Sequence, residues 1–300
     1  MTADELIQAV RDMANLSASA EDAESADILR ALNREQSLYL TTVLEKSKGQ
    51  HKQATLDLTT SASTLRYRIP TRAIAAGIKM LEAVDSAGKR WMLYDYSDSD
   101  AARFGRFVTS NGDFYIEGNE LVFYAAPPAG TLRVTYSRRM STLVLVASAG
   151  TITTISSGTI TISAAPSDFL TAAANYDFVR STPHFDIMAM DKSATRSSTT
   201  MTFTAADVPT DLAVGDYVCQ AGESPVCQAP MELHPLLALR TAYVWSRAKN
   251  DPIAEVLKGD LKEAHDNAAT LLEPRIEQEG PLVNRYAPGF HAWPFVRRVF

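Results

Sequence analysis

The sequence predicts an α+β protein: a helical bundle core with a small antiparallel β-sheet, plus an inserted all-β domain. Three observations predict it. Apolar residues recur at three-and-four spacing near both ends of the chain, the mark of one buried helix face. Between about residues 54 and 140 they alternate instead, as in half-buried strands. Between 143 and 228 the composition turns rich in Thr and Ser, with strand-turn-strand signals of its own. The division expected is therefore a core of residues 1–142 and 229–300 and an inserted β domain of residues 143–228.

The first zone is helical. Asp4 to Met13 forms one short amphipathic helix, and a longer one runs from about Glu24 to Lys48. The stripe of the longer helix is Ile28, Leu29, Leu32, Tyr39, Leu40, Val43 and Leu44, with a polar opposite face that leaves it in need of a partner. Lys46, Lys48 and Gly49 supply a cationic last turn and a stop. Short strands follow: LDLTT and LRYRIP joined by the turn SAS, then IKMLEAVD turning at SAGK into RWMLYDYS. DFYIEG and ELVFYAAPPAG make another hairpin, and TLRVTYSRR alternates Leu132, Val134 and Tyr136 with Arg133, Thr135 and Ser137. Short strands and frequent turns favour an antiparallel sheet over a parallel one with crossover helices.

Residues 143–228 open with TITTISSGTITIS, and further strands are expected at TTMTFTA and VGDYVCQ. Eight carboxylates (Asp168, Asp177, Asp186, Asp191, Asp207, Asp211, Asp216 and Glu223) face three bases, Arg180, Lys192 and Arg196. Such strands read as solvated rather than core-forming, an all-β module set in a loop of the host. After Pro230, MELHPLLALRTAYVWSRA is a helix buried on most sides. Asp251 then caps a last helix with Pro252 in its first turn, where a missing amide donor costs nothing. Its stripe is Ile253, Val256, Leu257, Leu261, Ala264, Ala268 and Leu271, weakened by Gly259 by about 1 kcal/mol. The short connection between the two makes them antiparallel.

The final stretch, PLVNRYAPGFHAWPFVRRVF, holds five aromatics, three arginines, three prolines and no acid. Proline and glycine at that density prevent a helix, while the apolar groups are costly to leave in water. Two readings are open: the segment packs back on its own subunit, or it lodges against a partner through the residue types that carry interface energy.

Composition narrows function. The net charge is −6, which argues against tight clamping of DNA, because neutralising phosphates takes a surplus of Lys and Arg. No apolar run reaches the about 20 residues that cross a bilayer, so no membrane is expected. The acidic, amphipathic start is unlike a signal peptide, which points to synthesis in a cytoplasm. The two cysteines, Cys219 and Cys227, make neither a disulfide framework nor a zinc site; they flank AGESP and read as half-buried free thiols that a hairpin can bring face to face.

Catalytic signals are weak. SAGKR lacks the spacing of a phosphate loop, and neither GxSxG nor HExxH occurs. Five histidines are scattered, with His184 and Asp186 the one pair on a shared strand face, and Asp95, Asp98 and Asp100 form an incomplete calcium loop. Neither Ser37 nor Cys219 sits in a nucleophile motif. No enzyme, cofactor or metal is expected.

Taken together, several stretches resemble the head-to-tail adaptor (neck, or head-completion) proteins of tailed double-stranded DNA bacteriophages. They are TLRYRIPTRAIAAGIKMLEAVDSAGKRWMLYDYSDSD, then NGDFYIEGNELVFYAAPPAGTLRVTYSRR, then Pro230-Met-Glu-Leu-His-Pro opening the terminal helices. The departure is residues 143–228, where many such proteins have a short loop. The resemblance implies a structural virion protein of the neck: a homo-oligomeric ring, commonly of twelve subunits, that docks on the capsid portal, extends the channel for passing genomic DNA without reading its sequence, and offers a platform to the tail or further neck proteins. It also implies that the C-terminal segment reaches the portal, which places Phe290, Trp293, Phe295, Arg297, Arg298 and Phe300 at that contact. Two alternatives stand beside it: another virion subunit, of the tail or baseplate, or a module that binds glycan or peptide through the β insert.

Overall fold

The computed structural model describes residues 1–16, 24–46, 53–61, 63–93, 114–127, 129–181 and 186–272. Helix α1 (Ala3–Met13) starts at a capping box: the Thr2 hydroxyl accepts from the Glu5 amide at 3.2 Å, and the Glu5 carboxylate accepts from the Thr2 amide at 2.9 Å. The long second helix exists but is not uniform. It runs as α2 (Ser25–Glu35), one wide π turn (Gln36–Leu40) and α3 (Thr41–Lys46). The turn is fixed from both sides. Gln36 is buried and donates to the Ser141 carbonyl at 2.8 Å, and one turn earlier Asn33 exchanges two hydrogen bonds with the backbone of Leu143. Polar anchors of this kind hold the helix against a loop, and the extra residue in the turn accommodates them.

Helix α4 (His234–Ala248) and helix α5 (Ile253–Leu272) are antiparallel neighbours, and α4 also packs on α1 and α2. Leu6, Val10, Ile28, Leu32, Leu40, Leu44, Leu237, Ala242 and Leu257 fall in one apolar cluster, so helices from the two ends of the chain share a core. The Asp251 carboxylate accepts from the Ile253 amide at 3.0 Å, the expected cap. One stripe residue was misplaced: Val256 is 64% exposed, because α5 turns only one narrow face to α4. Inside this layer Glu35 is 3% exposed, and Arg240 and Arg34 each donate to it at 3.0 Å.

His234, 1% exposed at the start of α4, stands with Nε2 3.0 Å from the Ala229 carbonyl and Nδ1 2.6 Å from the Met1 amine. Burial first, and the amine second, push it down to about 4. In the unfolded chain it titrates near 6.5, so on acidification the unfolded state takes up the proton first and stability falls from that value down toward about 4. Between about pH 7 and about pH 5 the loss attributable to this group is about 2 kcal/mol. Urea unfolding of wild type and His234→Gln across that range checks it; a wild type no steeper than the variant means the ring is not held neutral.

The β region forms two sheets rather than one. A four-stranded sheet has the order β1 (Gln53–Thr60), β7 (Gly130–Arg138), β3 (Ala73–Asp85), β4 (Arg90–Leu93), all antiparallel. A three-stranded sheet has the order β2 (Arg66–Arg68), β6 (Glu120–Phe123), β5 (Phe114–Glu117). Strands β1 and β2, read as one hairpin, therefore part company at the SAS turn and join different sheets. Leu81, Leu121, Phe123, Leu132, Val134 and Tyr136 make their common core. The hairpins β3–β4 and β5–β6 pair as their alternation requires.

Within residues 143–228, expected to be an insert, six strands close into a barrel. Its strands are β9 (Gly150–Ser156), β10 (Thr159–Ile162), β11 (Ala174–Val179), β12 (Ile187–Ser197), β13 (Thr200–Phe203) and β14 (Tyr217–Gln220), in the order β10-β13-β12-β11-β14-β9. The expectation of solvated, coreless strands is overturned. Ile152, Ile160, Ile162, Phe169, Tyr176, Phe178, Met201 and Phe203 fill the interior, and Phe178 stacks on Phe203 with centroids 4.9 Å apart. The Thr and Ser residues that suggested solvation alternate with these and face outward, as barrel geometry demands. A two-stranded parallel stem, β8 (Thr142–Leu143) beside β15 (Glu223–Ser224), joins the barrel to the host. Cys219 and Cys227 do not meet: both are free and fully buried, the first in a small cluster under the barrel and the second among the helices.

Candidate protein interface

Residues Phe290, Trp293, Phe295, Arg297, Arg298 and Phe300 lie outside the described residues, as do His184, Asp95, Asp98 and Asp100. Among the described residues no cluster of His, Cys, Asp or Glu could hold a metal ion, and no helix is long and apolar enough to cross a membrane. Burial pushes the Cys227 thiol up to about 11 and the Cys219 thiol well above its ordinary value, so both are protonated and poor nucleophiles.

What the structure does assemble is a groove over the outer face of the four-stranded sheet. That face mixes charged residues with the apolar Met80, Val84 and Met92. Asp57, Arg133 and Glu82 stand in register across β1, β7 and β3, and Arg133 holds Asp57 with two bonds of 2.8 Å. That pairing holds the Asp57 carboxyl below its usual range. Above this face lies the first half of β12, and between them runs a groove of about 1030 Å³, lined by Thr55, Leu56, Asp57, Met80, Glu82, Thr135, Met188, Met190 and neighbours.

One end of the groove is a buried ionic joint between barrel and sheet. Asp177 is fully buried in β11; its Oδ2 is 2.6 Å from Nη1 of Arg72, in the turn before β3, and accepts from the Gly222 amide at 3.1 Å. Its other oxygen accepts from the Asp191 amide at 3.0 Å, and Arg72 also reaches the Asp191 carboxylate at 3.3 Å. Asp191 takes a positive φ of 56°, which brings its amide to that carboxylate. Arg138 donates to the Met190 sulfur at 3.6 Å, and burial, with Arg72 nearby, lowers its pKa. Sequence reading missed this joint. The signal available was Asp177 itself, an acid between Tyr176 and Phe178 in a strand too apolar to leave a charge unpaired.

Among the described residues the geometry presents a groove and a braced ionic joint. Residues 1–206, more than half of the chain, match the family described as SU10 adaptor protein. The chain belongs to that family of structural adaptor proteins of bacteriophages and is not an enzyme; it works by contact with other proteins of the virion. The matched stretch includes residues 143–206 of the segment read as inserted, ends between β13 and β14, and leaves out α4 and α5. No curated protein matches the chain.

Proposed function

We propose that the protein forms the ring that connects the capsid portal to the tail and lengthens the channel through which the genome passes. The observation that carries this reading is the adaptor family match over residues 1–206. Three features support it. Helices from both ends of the chain share one apolar core, leaving α2 and α5 with polar outer faces able to meet neighbours. Outside residues 143–228, which hold eight acids and three bases, the chain is nearly neutral and so has no surplus of Lys and Arg to grip DNA, which suits a conduit. The barrel, set by residues 143–228, is the unit free to stand at the ring's periphery, apart from the core of 1–142 and 229–300.

In this reading twelve copies close the ring, and the C-terminal aromatics and arginines, Phe290, Trp293, Phe295, Arg297, Arg298 and Phe300, seat against the portal. Aromatic and arginine anchors supply interface energy without needing a helix or sheet of their own. The expected result is that electron micrographs of the protein mixed with its portal show stacked rings, and that removing residues 290–300 abolishes stacking while far-UV circular dichroism is unchanged. Stacking that survives the truncation removes the tail from the contact; dispersed single subunits at high concentration remove the ring.

A further inference from the structure

Among the described residues, the groove under β12 has unpaired strand edges on both sides. Within that set strand β1 is the outermost strand of its sheet and pairs with β7 alone. In β12, residues 187–192 pair with β11 on one side, while pairing with β13 begins only at Ala194, so among the described residues the other side of that half is open. Both edges line one groove, through Thr55–Asp57 and Met188–Lys192. An eight-residue edge strand without proline or lysine is a ready template for a further strand. At about 1030 Å³ the groove exceeds most small-molecule clefts and suits a stretch of polypeptide.

Its charge selects the occupant. Every basic group lining it is already engaged: Arg133 with Asp57, Arg72 with Asp177, Lys192 with Asp207. The lining itself has three acids, Asp57, Glu82 and Asp191, for three bases, but Asp177 and Asp207 engage Arg72 and Lys192 from outside it, so with those partners five acids meet three bases. Glu82 has no ion pair within 4 Å among the described residues, and Asp191, sharing Arg72 with Asp177, keeps a side chain that is 50% exposed. The methionines Met80, Met188 and Met190 add an adaptable apolar floor that favours aromatic neighbours. An extended, basic segment with aromatic and β-branched residues fits, and this chain carries one. Leu282-Val-Asn-Arg-Tyr286 lies between Pro281 and Pro288, which bound the stretch able to pair. It follows the end of α5 at Leu272 by nine residues, enough to reach about 30 Å to an adjacent subunit.

We infer that residues 282–286 of one copy add as a strand in the groove between β1 and β12 of a second copy, with Arg285 facing the acids there. The inference rests on the ring reading only in taking the donor to be a neighbouring subunit; it leaves residues 290–300 for the portal.

The test uses the full chain. Arg285→Glu and Glu82→Arg are each expected to weaken self-association by about fivefold in sedimentation equilibrium, and the double variant to regain wild-type assembly. A photo-crosslinking amino acid at position 286, in a mixture of isotopically heavy and light protein, should give heavy–light crosslinks to residues 53–60 or 187–192. Crosslinks only within one copy, crosslinks elsewhere, or a double variant weaker than either single one overturn the inference. Failure of residues 290–300 to dock on the portal leaves these outcomes unchanged, so the two proposals fail separately.

Discussion

Replacing Asp177 by Ala is expected to destabilise the protein by about 3–5 kcal/mol. The carboxylate is fully buried, and it serves three groups: the Arg72 guanidinium, the Asp191 amide and the Gly222 amide. Removing it strands a cation whose side chain is only 11% exposed, together with two amides that lose their acceptor. The desolvation of those groups, more than the lost attraction, is what the variant suffers. Urea denaturation at neutral pH measures the loss, and the double variant Arg72→Met with Asp177→Leu should recover a large part of it, because no unpaired charge remains. A single variant within about 0.5 kcal/mol of wild type would mean that water reaches the joint freely.

Phe178→Ala is expected to cost about 3–5 kcal/mol, and to cost it locally. Phe178 is completely buried at the barrel centre, stacked on Phe203 and next to residues that belong to no other cluster. If residues 143–228 form an independent unit, hydrogen exchange should accelerate across β9–β14 while the amides of α1, α4 and β7 keep their protection. Uniform acceleration over the whole chain would show instead one cooperative unit, with barrel and host inseparable.

Much of this architecture was legible in the residues because it rests on local periodicity. The stripe from Ile28 to Leu44 survives its π turn, since one extra residue in a turn shifts a helical face by less than the width of the stripe. The hairpins at SAGK and around Gly118-Asn119 were legible because turn chemistry and alternation agree there. What escaped was non-local. Nothing near SAS says that β1 must travel to β7 while β2 goes to β6; that choice is made by partners more than fifty residues away. Strands β11 and β12 were missed because an aspartate interrupts each, Asp177 and Asp191, and both aspartates are explained only by Arg72, far back in the chain. The closed barrel was missed for a related reason: its outward threonines outnumber its inward aromatics, so composition reported the surface and hid the core.

The paired stem of β8 and β15 has a consequence for how such a chain can change. Thr142 donates to the Gly222 carbonyl at 2.8 Å and Val144 to that of Ser224 at 3.0 Å, so the outgoing and returning strands are clasped before the barrel begins. Asn33 grips the same place from the helical layer. Beyond those two adjacent backbone ends the host also feels the barrel through Arg72, which is neutralised by Asp177 and Asp191. Grafting a different decoration at this clasp therefore asks one thing of the scaffold, that Arg72 lose its charge along with its partners, as Arg72→Met provides.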